Sequence, residues 1–413
     1  MRSVSESLAR DPELFYDKLM NNNAAARHYL DWAATAIPDW NTPGNAFPAD
    51  FSPDDIFGNP SSLHREGRLA KEALENARSR CAAVLGVPAE KLHFTSGGTE
   101  SNALAIHSRL LKQAKGRVLC SGIEHPSVRE NCLMLEKLGL ALAMIGVERD
   151  GRVSEASFSR ALEKNPDARF TAVMGVNNET GALMDLKALV ALARESQAKT
   201  GIPIHFHADL VQAAGKVPVD LSGWDLDSAS ISAHKLGGPR GIGLLYQKKT
   251  QSSILTGGEQ EGGVRPGTEN TLGALALACA LERRADPNVV MRERAEAAER
   301  LKYLIGKLKK IKRCGFIPED REEDDSRFSP WILQVRFRDV PGAVMVRALD
   351  DAGVAVSTGS ACSSSAQDRP VLAAMGVGES ERLEGIRISQ GWSTGQADMD
   401  ALVSGVEKVL SFL

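Results

Sequence analysis

The sequence has no long apolar run. Its best candidate, residues 271–281, is far shorter than the ~18 residues that span a bilayer,. Cysteine is scarce, with six in 413 residues and none in a C-x-x-C pair. That argues against a metal site or a disulfide framework and for reduced thiols in a cytoplasm. A surplus of one charge is missing too. Fifty Lys and Arg stand against 53 Asp and Glu, a net −3, which argues against nucleic acid as a main partner. There is no repeat, no low-complexity tract, no G-x-x-x-x-G-K-[ST] and no strand-linked G-x-G-x-x-G. Residues 1–20 lack an apolar core and carry Glu6, Asp11, Glu13 and Asp17, unlike a secretory signal or an acid-poor transit peptide. The first ~28 residues read instead as an arm with apolar anchors at Leu14-Phe15-Tyr16 and Leu19-Met20,.

What is present alternates. Strand-like runs at 92–95, 117–121, 140–146, 170–175, 204–207 and 228–232 are separated by helical patterns at 98–113, 127–138, 155–163 and 186–198. A β-α-β-α order predicts an α/β fold with a mostly parallel sheet covered by helices. After Gly267 the pattern turns helical, broken at Asp286-Pro287 because proline cannot continue a helix,. The acidic stretch 319–325 reads as a solvated loop. Segments 331–337, 343–352, 385–389 and 398–413 predict a smaller α+β unit. We place a large domain at 39–287 and a small one from 1–38 and 288–413.

The sharpest local signal is Ser230-Ile-Ser-Ala-His-Lys-Leu-Gly-Gly-Pro-Arg-Gly-Ile-Gly243. A lysine ends an apolar strand among small residues that let a bulky group approach the backbone. Asp209, in His207-Ala-Asp-Leu-Val-Gln212, ends another strand, at the edge where open α/β sheets bind ligands,. Taken singly, Lys235 is a surface charge beside a turn and Asp209 is a helix cap. Together they suit pyridoxal phosphate, which needs a lysine for a Schiff base and a carboxylate for the ring nitrogen. Ser96-Gly-Gly-Thr-Glu100, a turn opening a helix, offers backbone N–H groups to a phosphate,.

With these motifs the chain resembles the cysteine desulfurases of the class V aminotransferase group, fold-type I pyridoxal phosphate enzymes. The likeness runs from Tyr29-Leu-Asp-Trp-Ala-Ala-Thr35 through Gly58-Asn-Pro-Ser-Ser62, Phe94-Thr-Ser-Gly-Gly-Thr-Glu-Ser101, Glu124-His-Pro-Ser-Val128 and Asn177-Asn-Glu-Thr-Gly181. It continues in the Asp209 and Lys235 motifs, Arg265-Pro-Gly-Thr268, Gly359-Ser-Ala-Cys362 and Arg387-Ile-Ser389. The resemblance implies a PLP-dependent transferase fold with a seven-stranded-type central sheet and a smaller α+β domain. It implies Lys235 as the cofactor lysine, Asp209 as the pyridinium partner, Gln212 as donor to the ring hydroxyl and His125 as the imidazole stacked on the ring. Gly98, Thr99, Ser232 and His234 are similar to phosphate ligands. Thr268 is similar to one supplied by the other subunit, which implies a homodimer. Asn178 and Arg387 resemble the clamp on the substrate carboxylate, a task suited to the planar fork of arginine.

Cys362 lies in a serine-rich segment, about 357–370, that reads as an exposed, mobile loop where a thiol can ionise and move,. The resemblance implies that it takes sulfur from L-cysteine as a persulfide, leaves alanine, and passes the sulfur to an acceptor protein. The destination is iron–sulfur clusters or thiolated cofactors and tRNA. The Ser-Gly-Ser-Ala-Cys form is similar to the long-loop subgroup. Three alternatives stay open: a selenocysteine lyase, a plain aminotransferase, and a sulfur-relay or scaffold-binding protein with a degenerate site. Two departures bear on the last. Gly262 stands where an arginine is usual, and Met184 where a glutamine is.

Overall fold

The computed structural model describes residues 27–39, 56–112, 116–359 and 369–412. Cys362, most of the loop around it, and the amino-terminal arm lie outside the described residues. The described strands are β1 (His28–Tyr29), β2 (Leu92–Thr95), β3 (Arg117–Ser121), β4 (Ala141–Ile145), β5 (Ala168–Ala172), β6 (His205–Asp209), β7 (Ser228–Ser232), β8 (Gly243–Gln247), β9 (Cys314–Phe316), β10 (Ile332–Phe337), β11 (Val354–Ala355) and β12 (Gly385–Ser389).

Seven of them form the central sheet, in the order β2-β8-β7-β6-β5-β3-β4. The pairs from β7 to β4 are parallel. β8 runs antiparallel to both neighbours, so β2 points the same way as β7. This is the mostly parallel, helix-covered sheet that the alternating pattern predicts. β7 is buried along its whole length, as expected of a strand covered on both faces, and helix Gly98–His107 packs on it.

Several elements escaped the pattern, among them β8 and helix Arg65–Leu85. β8 is hidden at the end of the glycine-rich run after Lys235. Its Gly243 sits so close to the neighbouring turn that a Cβ would lie 2.6 Å from Gly97 Cα and 2.6 Å from the Ile231 carbonyl oxygen. Helix Arg65–Leu85 was missed because its buried face is mostly small: Gly67, Ala70, Ala77, Cys81 and Ala82, with Leu74. It starts where His64 accepts from Gly67 N and stops at Gly86, which takes the left-handed conformation (φ 65°) that favours glycine,. This helix packs along helix Thr271–Arg284. The Asp286-Pro287 break ends one helix and starts the next. Asp286 caps Pro287–Leu308 by accepting from Asn288 N and Val289 N,.

A second sheet, β12-β10-β9, is antiparallel, and β1 pairs in parallel with β11. Its core joins Leu30 to Leu304, Leu333, Leu349, Ile386 and Leu402, so the first and the last of the described segments share one apolar cluster. Phe328, Val371 and Leu372 pack instead with the central sheet's core. The 319–325 stretch is only partly solvated, contrary to the sequence reading. Arg321 is 3% exposed, with its guanidinium 4.1 Å from the centre of the Phe328 ring. An aromatic face and Asp325 compensate its buried charge,.

Candidate active site

β2, β3, β6 and β7 all end at one edge of the sheet, where a parallel sheet opens a crevice. Each end supplies a group. β2 leads through Ser96-Gly97 into helix Gly98–His107. The chain after β3 places His125 as the cap of helix Pro126–Lys137, its Nδ1 accepting from Ser127 N at 3.1 Å. β6 ends on Asp209, and β7 ends on Ser232, followed by one tight turn carrying His234 and Lys235.

These ends enclose a cavity of about 310 Å3, inside the usual range for small-ligand sites,. Its walls include Gly98, Thr99, His125, Asn178, Asp209, Gln212, Ser232, His234, Lys235 and Arg387. Ten positions singled out from sequence are therefore brought together. Thr268 is not: it is exposed, in the segment after Gln260–Gly263, and does not line this cavity. Cys362 lies outside the described residues, though Gly359 and Pro370, on either side of its segment, both line the cavity.

Charge in the cavity is directed. Asp209 is 5% exposed and accepts from Asn102 Nδ2 at 2.8 Å and from Val211 N at 2.9 Å. Lys235 Nζ donates to the carbonyls of Ala33 and Ala34. The Tyr29–Thr35 motif thus serves the site through backbone oxygens. Gln212 Nε2 donates to the same Ala33 carbonyl at 2.8 Å, and Lys216 Nζ donates to Gln212 Oε1 at 2.9 Å. Burial, with Lys235 and Arg387 nearby, brings the Lys216 ammonium down to about 7,.

Burial also lowers the His125 pKa, opposed by Asp209 and reinforced by Lys235, Arg387 and Arg129. It brings His234 down to about 4, with the Lys235 charge adding to the effect. Arg387, 3% exposed, donates to Asp31 Oδ1 at 2.8 Å and to the Asn178 carbonyl at 2.8 Å. Arg387 Nε and Asn178 Oδ1 are buried with no hydrogen-bond partner among the described residues. Unpaired buried polar atoms are costly, and here they flank a cavity.

The sequence reading missed Glu124, Asn102, Ser127 and Lys216. All four sit inside or beside the quoted motifs, but nothing in their spacing distinguishes them. Glu124 lines the cavity, and burial, with Asp209 adding to it, pushes its carboxyl up to about 8. One oxygen accepts from Met174 N at 2.8 Å and from Ser121; the other has no partner among the described residues. The two departures lie off the cavity. Met184 is core, its sulfur accepting from Val153 N. Gly262 occupies open space at φ 63°, a conformation that suits glycine better than arginine.

The chain is similar to known proteins over most of its length. The aminotransferase class-V family model matches residues 28–402. The chain is 37% identical to a putative cysteine desulfurase IscS 1 of Bacillus subtilis over 371 residues, 88% of this chain and 93% of that one. It is 35% identical to a cysteine desulfurase IscS of Dictyoglomus turgidum over 366 residues, 86% and 88% of the two chains. The solved structure of a NifS-like protein from Rickettsia africae superposes with a TM-score of 0.79 at 27% identity. That match covers 93% of this chain and 99% of the other.

Proposed function

The chain belongs to the aminotransferase class-V family and is a cysteine desulfurase, and from that premise we propose how its residues carry out the reaction. The cofactor we propose is pyridoxal 5'-phosphate. The cavity fits it on chemical grounds. A buried carboxylate and a lysine share the space with a small-residue turn in which a Cβ on Gly98 would meet Val211 Cγ2 at 2.6 Å. That turn opens a helix whose first N–H groups have no intrahelical acceptor. When bound, the cofactor supplies an electron-withdrawing ring that eases loss of a proton and cleavage of a carbon–sulfur bond.

In this reading Lys235 would hold the cofactor covalently, and Asp209 would keep its ring nitrogen protonated. Gln212, its amide oriented by Lys216, donates toward the ring hydroxyl. Gly98, Thr99, Ser232 and His234 bind the phosphate. Thr268, exposed on one chain, would reach the same phosphate in a homodimer. Arg387 and Asn178 would take the substrate carboxylate, whose oxygens would accept from the orphaned Arg387 Nε and from the Asn178 amide nitrogen,. His125 would lie against the cofactor and would exchange a proton with bound substrate. The Cys362 thiolate attacks the sulfur of L-cysteine. An S–S bond forms, the C–S bond breaks with its electron pair going to carbon, and carbon is then protonated. The products are alanine and a Cys362 persulfide, with no outside oxidant.

We place these roles in a large domain at 39–287 and a small one from 1–38 and 288–413. The persulfide then passes to an acceptor protein in a reducing cytoplasm, for iron–sulfur clusters or thiolated products. No helix among the described residues is long and apolar enough to cross a membrane.

The observation that carries this reading is the convergence of Asp209, Lys235, His125 and Arg387 on one cavity. The test is direct. Protein loaded with the cofactor, given L-cysteine and a thiol reductant, should release sulfide and alanine in equal amounts. Cys362→Ala should keep the cofactor's yellow colour and lose turnover of cysteine. A loaded wild-type protein that releases neither product refutes the reading. Turnover of selenocysteine by Cys362→Ala would point to the lyase.

A further inference from the structure

Behind the cavity runs a chain of hydrogen bonds whose directions can all be assigned. It centres on Asn102, on helix Gly98–His107 and fully buried. Asn102 Nδ2 lies 2.8 Å from Asp209 Oδ2 and 2.9 Å from Ser127 Oγ, while its Oδ1 lies 2.9 Å from His207 Nε2. The reverse amide orientation would set oxygen against carboxylate, so the amide nitrogen faces Asp209. His207 Nε2 must then carry a proton to donate to Asn102 Oδ1. His207 Nδ1 is left to accept from Ser228 Oγ at 2.8 Å, and Ser228 in turn accepts from His205 Nε2 at 2.8 Å.

The same logic runs toward the cavity. Ser127 Oγ accepts from Asn102, so its own proton goes to His125 Nδ1, 2.8 Å away. Ser127 N donates to that same nitrogen at 3.1 Å. A ring nitrogen that accepts two donors carries no proton, so in the neutral ring the proton sits on Nε2. The charged groups facing this ring are Asp209, Lys235, Arg387 and Arg129.

We propose that Asn102 is a positioning residue that ties Asp209 to His125 and, through Ser127, holds the His125 ring as its Nε2–H tautomer. One amide thereby orients the carboxylate on one side of the cavity and selects which nitrogen of the imidazole meets a ligand. His125 then begins each cycle as a proton donor at Nε2. Its use in turnover rests on the desulfurase reading; the tautomer itself does not.

The test is long-range proton–nitrogen NMR at neutral pH. It uses full-length protein labelled with nitrogen-15 in its histidine rings, measured with and without cofactor. His125→Gln assigns the signals. The expected result is a bare Nδ1 and a protonated Nε2 on His125, and a protonated Nε2 on His207. A proton on His125 Nδ1 overturns the proposal, and this measurement needs no other variant.

In Asn102→Asp the Ser127 hydroxyl should turn to the new carboxylate. The His125 Nδ1 signal should move, and kcat should fall roughly tenfold, part of what acid–base catalysis supplies. KM should change less than about threefold. An unmoved His125 signal in a folded variant also overturns the coupling. If Asn102→Asp does not fold, Ser127→Ala removes the same link and should move the same signal. Failure of the desulfurase reading is separate, because it appears as absent alanine in the wild type whatever the tautomer.

Discussion

Arg387, on the cavity wall, meets Asp31 at 2.8 Å, the two coming from β12 and from the turn after β1. A near-buried guanidinium needs a compensating charge, and Asp31 provides one while leaving Arg387 Nε without a partner among the described residues. The arginine is thus held rigidly, with donor capacity to spare for a carboxylate.

Arg387→Lys should therefore weaken substrate binding. Lysine keeps the charge but loses the planar fork. A charge-assisted hydrogen bond contributes roughly 1.5–3 kcal/mol, so KM for L-cysteine should rise by about tenfold or more. The visible absorbance of bound cofactor should stay unchanged. Steady-state kinetics beside the absorption spectrum check both.

Glu124 should make stability depend on pH. Its folded-state carboxyl is raised from 4.5 to about 8 by burial. The folded chain therefore binds the proton more tightly than the unfolded one. The resulting stabilisation is complete below about 4.5 and is lost as pH rises through about 8,. Glu124→Gln removes this term, so the melting temperature of wild type minus that of the variant should fall steadily across that window. A pH-independent difference in thermal melting would contradict it.

The remaining thiols should be inert. Cys81, Cys120, Cys132 and Cys279 are buried, and burial pushes the Cys81 and Cys314 thiols up to about 12. In Cys362→Ala a thiol reagent should react slowly at neutral pH with the native protein, and with five thiols only after unfolding,. Mass spectrometry of the alkylated protein counts them.

Much of the fold was legible because parallel strands buried on both faces leave plain apolar runs. β3 and β7 end where the runs end. β8 was not legible, since its leading glycine belongs to a turn motif and its pairing with β2 spans some 150 residues of sequence. The site was legible wherever a strand end coincided with a chemically distinctive residue, as at Asp209 and Lys235. It was not legible at Glu124, whose buried, proton-holding character comes from the groups packed around it.

By itself the sequence determined the family, and it offered as candidate chemistry a lysine and a carboxylate near two strand ends and a cysteine in a serine-rich segment, because these depend on residue type and motif order. Only the tertiary structure decided what those residues are held by. Asn102 reaches Asp209 and His207 across more than a hundred residues, Arg387 meets Asp31 across more than three hundred, and Lys235 rests on the carbonyls of Ala33 and Ala34. Hydrogen-bond direction, burial and proton affinity are set by neighbours in space, and those neighbours are assembled only when the chain folds.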